Sequence, residues 1–424
     1  MTRNSPSHNV WDFPTRVAFR FCFAYLGLYI LATQIFGSLI LIPYAQFRGL
    51  GPLWPMREIT FWVAAHIFRI ATPLTYTGDS IGETSFFWIQ NFWILIAAIA
   101  TTAIWSMLDR GRQNYSRLYK WFFIFVRLAV AAQMFEYGIT KIIPNQFRSP
   151  PLVTLIQPVG SQTLEGLLWA SIGASLGYEI FLGCAEVLGG ILLLAPRTTT
   201  LGALICLADM TQVFVLNMTY DIGLKQVSFH LILLSLFLLS ADFTRLANFF
   251  FLGRSTEALP ASSRTALALP IVFGIYLIGA QTFINWKYWY AKGGGAPKSE
   301  LYGIWNVEEI SVDGQARTAE LLDYDRRWRR VIFDSPDVIA FQRTDDSIAH
   351  YGVTLDNSTH TINLTKGASR SWKSSFTFVR PAEDRLILDG DMDNHRIHLS
   401  LQMVDLDGFP LLNSTFRWVR PDRP

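Results

Sequence analysis

Apolar residues gather into seven long runs over the first 290 or so positions, and beyond that they alternate with polar ones. The runs cover roughly Arg16–Pro43, Phe86–Leu108, Tyr119–Ile143, Ser175–Ala195, Thr199–Asn217, Gly223–Leu239 and Ala266–Trp286. Each is near the ~20 residues that a helix needs to cross a hydrocarbon core about 30 Å thick. Ile59–Ile70 is apolar but too short to cross, so it predicts an interfacial or re-entrant helix. Thr163–Ile172, inside the long connection 144–174, predicts a second interfacial helix.

After Ser299 the period falls to two. Ile304–Val307, Phe376–Val379, Leu386–Leu388 and Ile397–Leu401 read as strands, and Asp313-Gly314, Asp389-Gly390 and Asp407-Gly408 read as turns. About eight strands fit this segment. The fold class expected is therefore an all-α polytopic membrane bundle of about seven transmembrane helices, followed by an all-β antiparallel barrel or sandwich. The boundaries expected are a two-span region over 1–117, a four-helix unit over 118–248, the seventh span and an aromatic belt over 249–292, a Gly/Pro linker over 293–299, and a soluble β domain over 300–424.

Composition agrees with this division. The chain is 51% hydrophobic and only 16% charged, against about a quarter charged in soluble proteins. Residues 300–424 hold 20 acidic and 15 basic side chains, which leaves 13 acidic and 21 basic in 1–299. A basic membrane portion suits anionic lipid headgroups, and nothing in it calls for nucleic acid. Arg110, Arg112, Arg117, Lys120, Arg197, Arg245, Arg254 and Arg264 sit in the 109–120, 196–198 and 241–265 connections. By the positive-inside rule these connections and the N-terminus are cytoplasmic, and the C-terminal domain is extracytoplasmic. Cys22, Cys184 and Cys206 all lie in apolar runs, with no CxxC, so neither a disulfide scaffold nor a thiol relay is expected.

Ionisable groups inside spans are costly and normally face the bundle interior. Arg127, Met134 and Lys141 recur every seven residues on the third span, and Glu179 and Glu186 do so on the fourth. Asp209 and Gln212 lie on the fifth span, Lys225 and His230 on the sixth. Relative depth suggests a Lys141–Glu179 pair near one end and an Arg127 pair with Glu186 or Asp209 deeper. Three readings stay open. The charges fix helix register, or they line a pocket for a quinone, lipid or small acid, or they carry protons. No metal site is expected, because His350, His360, His395 and His398 lack ligand spacing.

Phe135-Glu136-Tyr137-Gly138-Ile139-Thr140-Lys141, preceded by Arg127, resembles the G-x-x-K end of the first helix of the DoxX family. Glu186-Val187-Leu188-Gly189-Gly190, followed by Pro196-Arg197, resembles that family's second helix and turn, and the likeness covers roughly 120–248. It implies a redox- or quinone-linked membrane subunit or accessory. The lack of a reactive thiol argues against a sulfur-carrier role. Gly303-Ile304-Trp305 resembles the G-x-W of lipocalin-like barrels, which implies an arginine stacked on Trp305, with Arg417 and Arg420 as candidates. The β domain would then bind a protein partner or a small apolar ligand. A non-enzymatic scaffold or lipid-binding protein and a proton-coupled transporter are the other functional readings. Whether any reaction is catalysed is left open.

Overall fold

The computed structural model describes residues 10–41, 47–71, 74, 76, 84–255, 264–317, 327–366, 372–413 and 418–419. Its helices are α1 (Phe13–Ala32), α2 (Gln34–Leu39), α3 (Met56–His66), α4 (Ser85–Leu108), α5 (Ser116–Ile142), α6 (Leu152–Ile156), α7 (Leu164–Gly173), α8 (Leu176–Leu194), α9 (Thr199–Thr219), α10 (Lys225–Ser240), α11 (Phe243–Phe250) and α12 (Arg264–Lys292), with a last short turn at Pro410–Asn413. Among the described residues six helices are long and apolar enough to cross a membrane. A seventh span results if α10 and α11, bent by 85° at their junction, are taken together.

The chain forms two compact units. The first comprises residues 1–146 and 177–288, the second 147–176 and 289–424. The connection 147–176 therefore groups with the β domain, although it is distant in sequence.

In the helical unit, α1 starts at Asp12, whose side chain accepts a hydrogen bond from Thr15 N. The first apolar run is broken at Thr33, whose backbone is extended, so α2 leaves α1 at an angle and packs on α5. The core is formed around α5, with Val126, Ala129, Val130, Met134 and Phe135 fully buried among side chains of α1, α9 and α10. Small residues set the closest approach. A Cβ on Gly138 of α5 would lie 2.6 Å from the carbonyl oxygen of Gly183 on α8 and 2.6 Å from Val187 Cγ2. Arg20, also buried, clasps three helices. Its guanidinium donates to Tyr115 Oη, Ser106 Oγ and the Asp109 carbonyl, and it lies 5.2 Å from the Tyr115 ring.

In the second unit, β1 (Gly303–Val312), β2 (Gln315–Ala316), β3 (Trp328–Ser335), β4 (Val338–Arg343), β5 (Ile348–Asp356), β6 (Thr361–Lys366), β7 (Trp372–Ala382), β8 (Arg385–Met392) and β9 (His395–Met403) form one antiparallel meander. Pairing of β1 with β9 closes eight strands into a barrel, with β2 a two-residue flap on β1. Among the described residues, closure gives each of the eight barrel strands a neighbour on both sides. The inside is filled by Trp305, Val331, Phe333, Phe341, Leu364, Phe376, Leu386, Leu399 and Leu401, all buried. Side chains therefore occupy the space that a wider barrel would give to a ligand.

One turn assignment needs amending. Asp313-Gly314 and Asp407-Gly408 do turn the chain, but Asp389-Gly390 lies within β8. The β8–β9 hairpin turns instead at Asp393 and Asn394, whose φ values of 51° and 64° suit a two-residue loop. Gly390 is needed for close packing: a Cβ there would stand 2.7 Å from Phe376 Cα.

The outer face of β1, β3 and β4 presents Ile304, Ile332 and Ala340, and Leu152 of α6 covers them, with Val153, Leu155 and Ile156 alongside. The backbone N–H of Leu152 donates to Asp334, and burial raises that carboxyl above the usual aspartate range.

Candidate functional site

The charged side chains of α5 and α8 meet, but with a different partner from the one suggested by depth. Lys141 Nζ stands 2.8 Å from both Oε1 and Oε2 of Glu186, and both side chains are buried. Glu179 is buried nearer the N-terminus of the same helix and is not the partner of Lys141. The reason is the axial offset of the two helices. Gly138 and Gly183 bring the helix backbones together at the level of Lys141, so its four-carbon stem runs along α8 to the next acid on that face.

Lys141 carries three donors, and Glu186 takes two of them. The ammonium also lies 5.5 Å from the Tyr137 ring, a favourable cation–π arrangement. Tyr137 Oη accepts from Gln34 Nε2 at 2.7 Å, which ties α2 to the pair. One turn away, Ser38 Oγ donates to Glu136, and it lies 3.1 Å from Gln133 Oε1. Asp209 on α9 is within electrostatic reach of both Glu186 and Lys141, and its buried Oδ2 has no hydrogen-bond partner among the described residues.

His230 belongs to a separate cluster. Its Nδ1 is 2.6 Å from the Gln226 carbonyl oxygen, which only accepts, so Nδ1 carries the proton. Nε2 is 2.8 Å from Tyr25 Oη, and Tyr25 Oη is 3.1 Å from Asn91 Oδ1. Tyr29 stacks flat on the imidazole, with centroids 3.4 Å apart. Arg127 is buried near the other end of α5, 3.5 Å from Thr199 Oγ1 and with no acidic partner among the described residues. Lys225 pairs with Asp221 at 3.0 Å, outside the buried cluster. Gln212 lies on the exposed face of α9 and does not join Asp209.

In the barrel, Trp305 Nε1 donates to the Leu301 carbonyl at 2.9 Å, and the Arg380 guanidinium is 5.8 Å from the Trp305 ring. Arg417 and Arg420 lie outside the described residues. Among the described residues no group of three His, Cys, Asp or Glu side chains is arranged to hold a metal.

Sequence reasoning missed Gln34, Ser38, Gln133, Tyr25, Tyr29, Asn91 and Arg20. Tyr25 and Tyr29, four apart, are indistinguishable from ordinary core aromatics until α10 is set against them. Arg20 had the better signal, a cation well inside an apolar run. Gln281 and Asn285, also four apart, form a polar stripe on the buried side of α12, and Asn285 accepts from Asn145 Nδ2 at 3.2 Å.

Fold and site together define a multi-pass membrane protein with a polar cluster buried in its helices and an eight-stranded antiparallel barrel after them. Over 116 residues the chain is 34% identical to the uncharacterized protein YwoB of Bacillus subtilis (strain 168), a stretch that is 27% of this chain and 73% of that protein. The chain belongs to the family of that protein. No family model matches it, and no solved structure does.

Proposed function

We propose that this is a DoxX-like subunit or accessory of a quinone-linked redox system, with Lys141, Glu186 and Asp209 forming the binding site for the quinone headgroup. The observation that carries this is the orphaned carboxylate oxygen of Asp209 beside an ammonium with one donor to spare. A buried polar atom without a partner is costly unless a ligand or water answers it. A quinone supplies carbonyl oxygens that gain protons as they gain electrons. The third N–H of Lys141 is free to donate to such an oxygen, and Asp209 Oδ2 is free to hold a proton for it or take one from it. Glu186 fixes the position of the ammonium, and the Tyr137 ring shields it.

In this reading the four-helix unit runs over 118–248, and the basic connections lie in the cytoplasm. The β domain, lipocalin-like in its closure and in its Trp305–Arg380 contact, lies outside and serves as a docking module for a protein partner. Its filled interior favours a partner over a small ligand.

The test is mass spectrometry of isoprenoid quinones extracted from the full chain purified in a non-ionic detergent. Quinone should accompany the wild-type chain and fall away in Asp209→Asn and Glu186→Gln. Its absence from the wild type, or equal amounts in all three, overturns the proposal. One observation favours a second reading, a non-enzymatic scaffold: Lys141 and Glu186 satisfy each other across the tightest helix contact. Under that reading both substitutions lower stability and change no ligand.

A further inference from the structure

We infer that Arg127 and the first turn of α9 form a binding site for a phosphate-type oxyanion at the opposite end of α5 from the Lys141–Glu186 pair. Arg127 is only 4% exposed, yet no carboxylate lies within ion-pair distance of it among the described residues. Its Nε has no hydrogen-bond partner among the described residues. The hydrogen bond its guanidinium makes among the described residues, 3.5 Å to Thr199 Oγ1, is long. A buried cation left in this state is among the more costly arrangements a protein can hold.

The neighbour makes matters worse. Thr199 is the first residue of a helix of 21 residues, so its end carries the positive pole of the helix dipole. The capping residue Thr198 makes no side-chain bond to that turn; its hydroxyl is turned to the Leu192 and Ala195 carbonyls. The N–H groups of Thr199, Thr200 and Leu201 therefore have no partner among the described residues. A guanidinium and a helix N-terminus of the same sign meet here, and among the described residues no carboxylate is paired with the guanidinium.

The acid beside this turn is already shared between the turn's own hydroxyl and a basic side chain. Asp242 accepts from the Thr200 hydroxyl and pairs with Arg245 at 3.0 Å. An oxyanion seated on the turn would take the N–H groups and the Nε–H of Arg127 together, the combination that binds phosphate at helix N-termini. Arg127 lies at the bundle end that carries the basic 196–198 connection, so a phospholipid headgroup and a free phosphate share the chemistry required. The site is independent of the quinone proposal and stands if that fails.

Thermal unfolding of the full chain in dodecyl maltoside tests it, with inorganic phosphate set against chloride at equal ionic strength, and with phosphatidylglycerol set against phosphatidylcholine. A saturating upward shift in Tm is expected from phosphatidylglycerol, from phosphate, or from both. Phosphatidylglycerol alone identifies a lipid headgroup, and phosphate alone a free anion. The shift should vanish in Arg127→Gln, shrink in Thr199→Val, and persist in Arg197→Gln, which removes an exposed charge of the same sign. No shift in the wild type overturns the site, as does an undiminished shift in Arg127→Gln. If Arg127→Gln does not fold, an undiminished shift in Thr199→Val overturns it equally.

Discussion

Removing one member of the Lys141–Glu186 pair and removing both should have opposite consequences. The pair is bidentate at 2.8 Å, and its side chains are 7% and 4% exposed. Lys141→Met leaves Glu186 in a dry helix interface with no counter-charge, and Glu186→Met strands the ammonium. Breaking a buried pair in this way costs about 3–5 kcal/mol, while replacing both members with apolar residues of similar volume is often neutral or stabilising. Lys141→Met/Glu186→Met should therefore unfold within about 1 kcal/mol of wild type, or above it. The assay is equilibrium unfolding in mixed micelles of dodecyl maltoside and increasing sodium dodecyl sulfate, followed by tryptophan fluorescence. The double-mutant cycle isolates the coupling. If the double substitution loses the sum of the two single losses, the pair does not hold the helices as argued. The doubly substituted chain would also separate stability from ligand binding, since it should fold and still fail to retain quinone.

Four further outcomes are expected. Gly138→Leu should disrupt α5–α8 packing, because even a Cβ there meets Gly183 O and Val187 at 2.6 Å; an unchanged unfolding midpoint would refute it. Trp305→Ala should cost about 3–5 kcal/mol as a core deletion, and Arg380→Ala about 0.5–1 kcal/mol through the lost cation–π contact, read as unfolding of the full chain. Burial raises the Asp334 carboxyl, so the fold favours its protonated form. Its contribution to stability is fully present below the ordinary aspartate pKa of about 3.9 and is lost as pH rises through the higher folded value. Asp334→Asn should flatten that dependence, and an unaltered pH profile would count against the burial argument. Reporters inserted at Gly160 and fused after Pro424 should lie on the same side of the membrane, because 147–176 and 289–424 form one compact unit; opposite sides would refute it.

The spans were legible because twenty apolar residues in a row suit a membrane-crossing helix and little else, and the barrel because its strands alternate. The Lys141–Glu186 pairing was not. Seven-residue spacing identifies which face of each helix is charged, but helix translation along the common axis decides which charges meet. That translation is set by Gly138 and Gly183, whose contact no linear pattern reveals. Asp389-Gly390 misled for a related reason: the glycine serves close packing in a strand, and its neighbour made it look like a turn. The Tyr25–His230–Asn91 cluster draws on three helices far apart in sequence, so each residue by itself looked ordinary.

The covering of the barrel by α6 has a consequence for synthesis. Leu152 emerges from the ribosome about 150 residues before the strand surface it covers, and the barrel cannot close until β9 reaches β1. Throughout that interval the strand surface against which Leu152, Val153 and Ile156 pack has not been made. The nascent chain therefore carries a temporary apolar patch at α6 until the last strand is made.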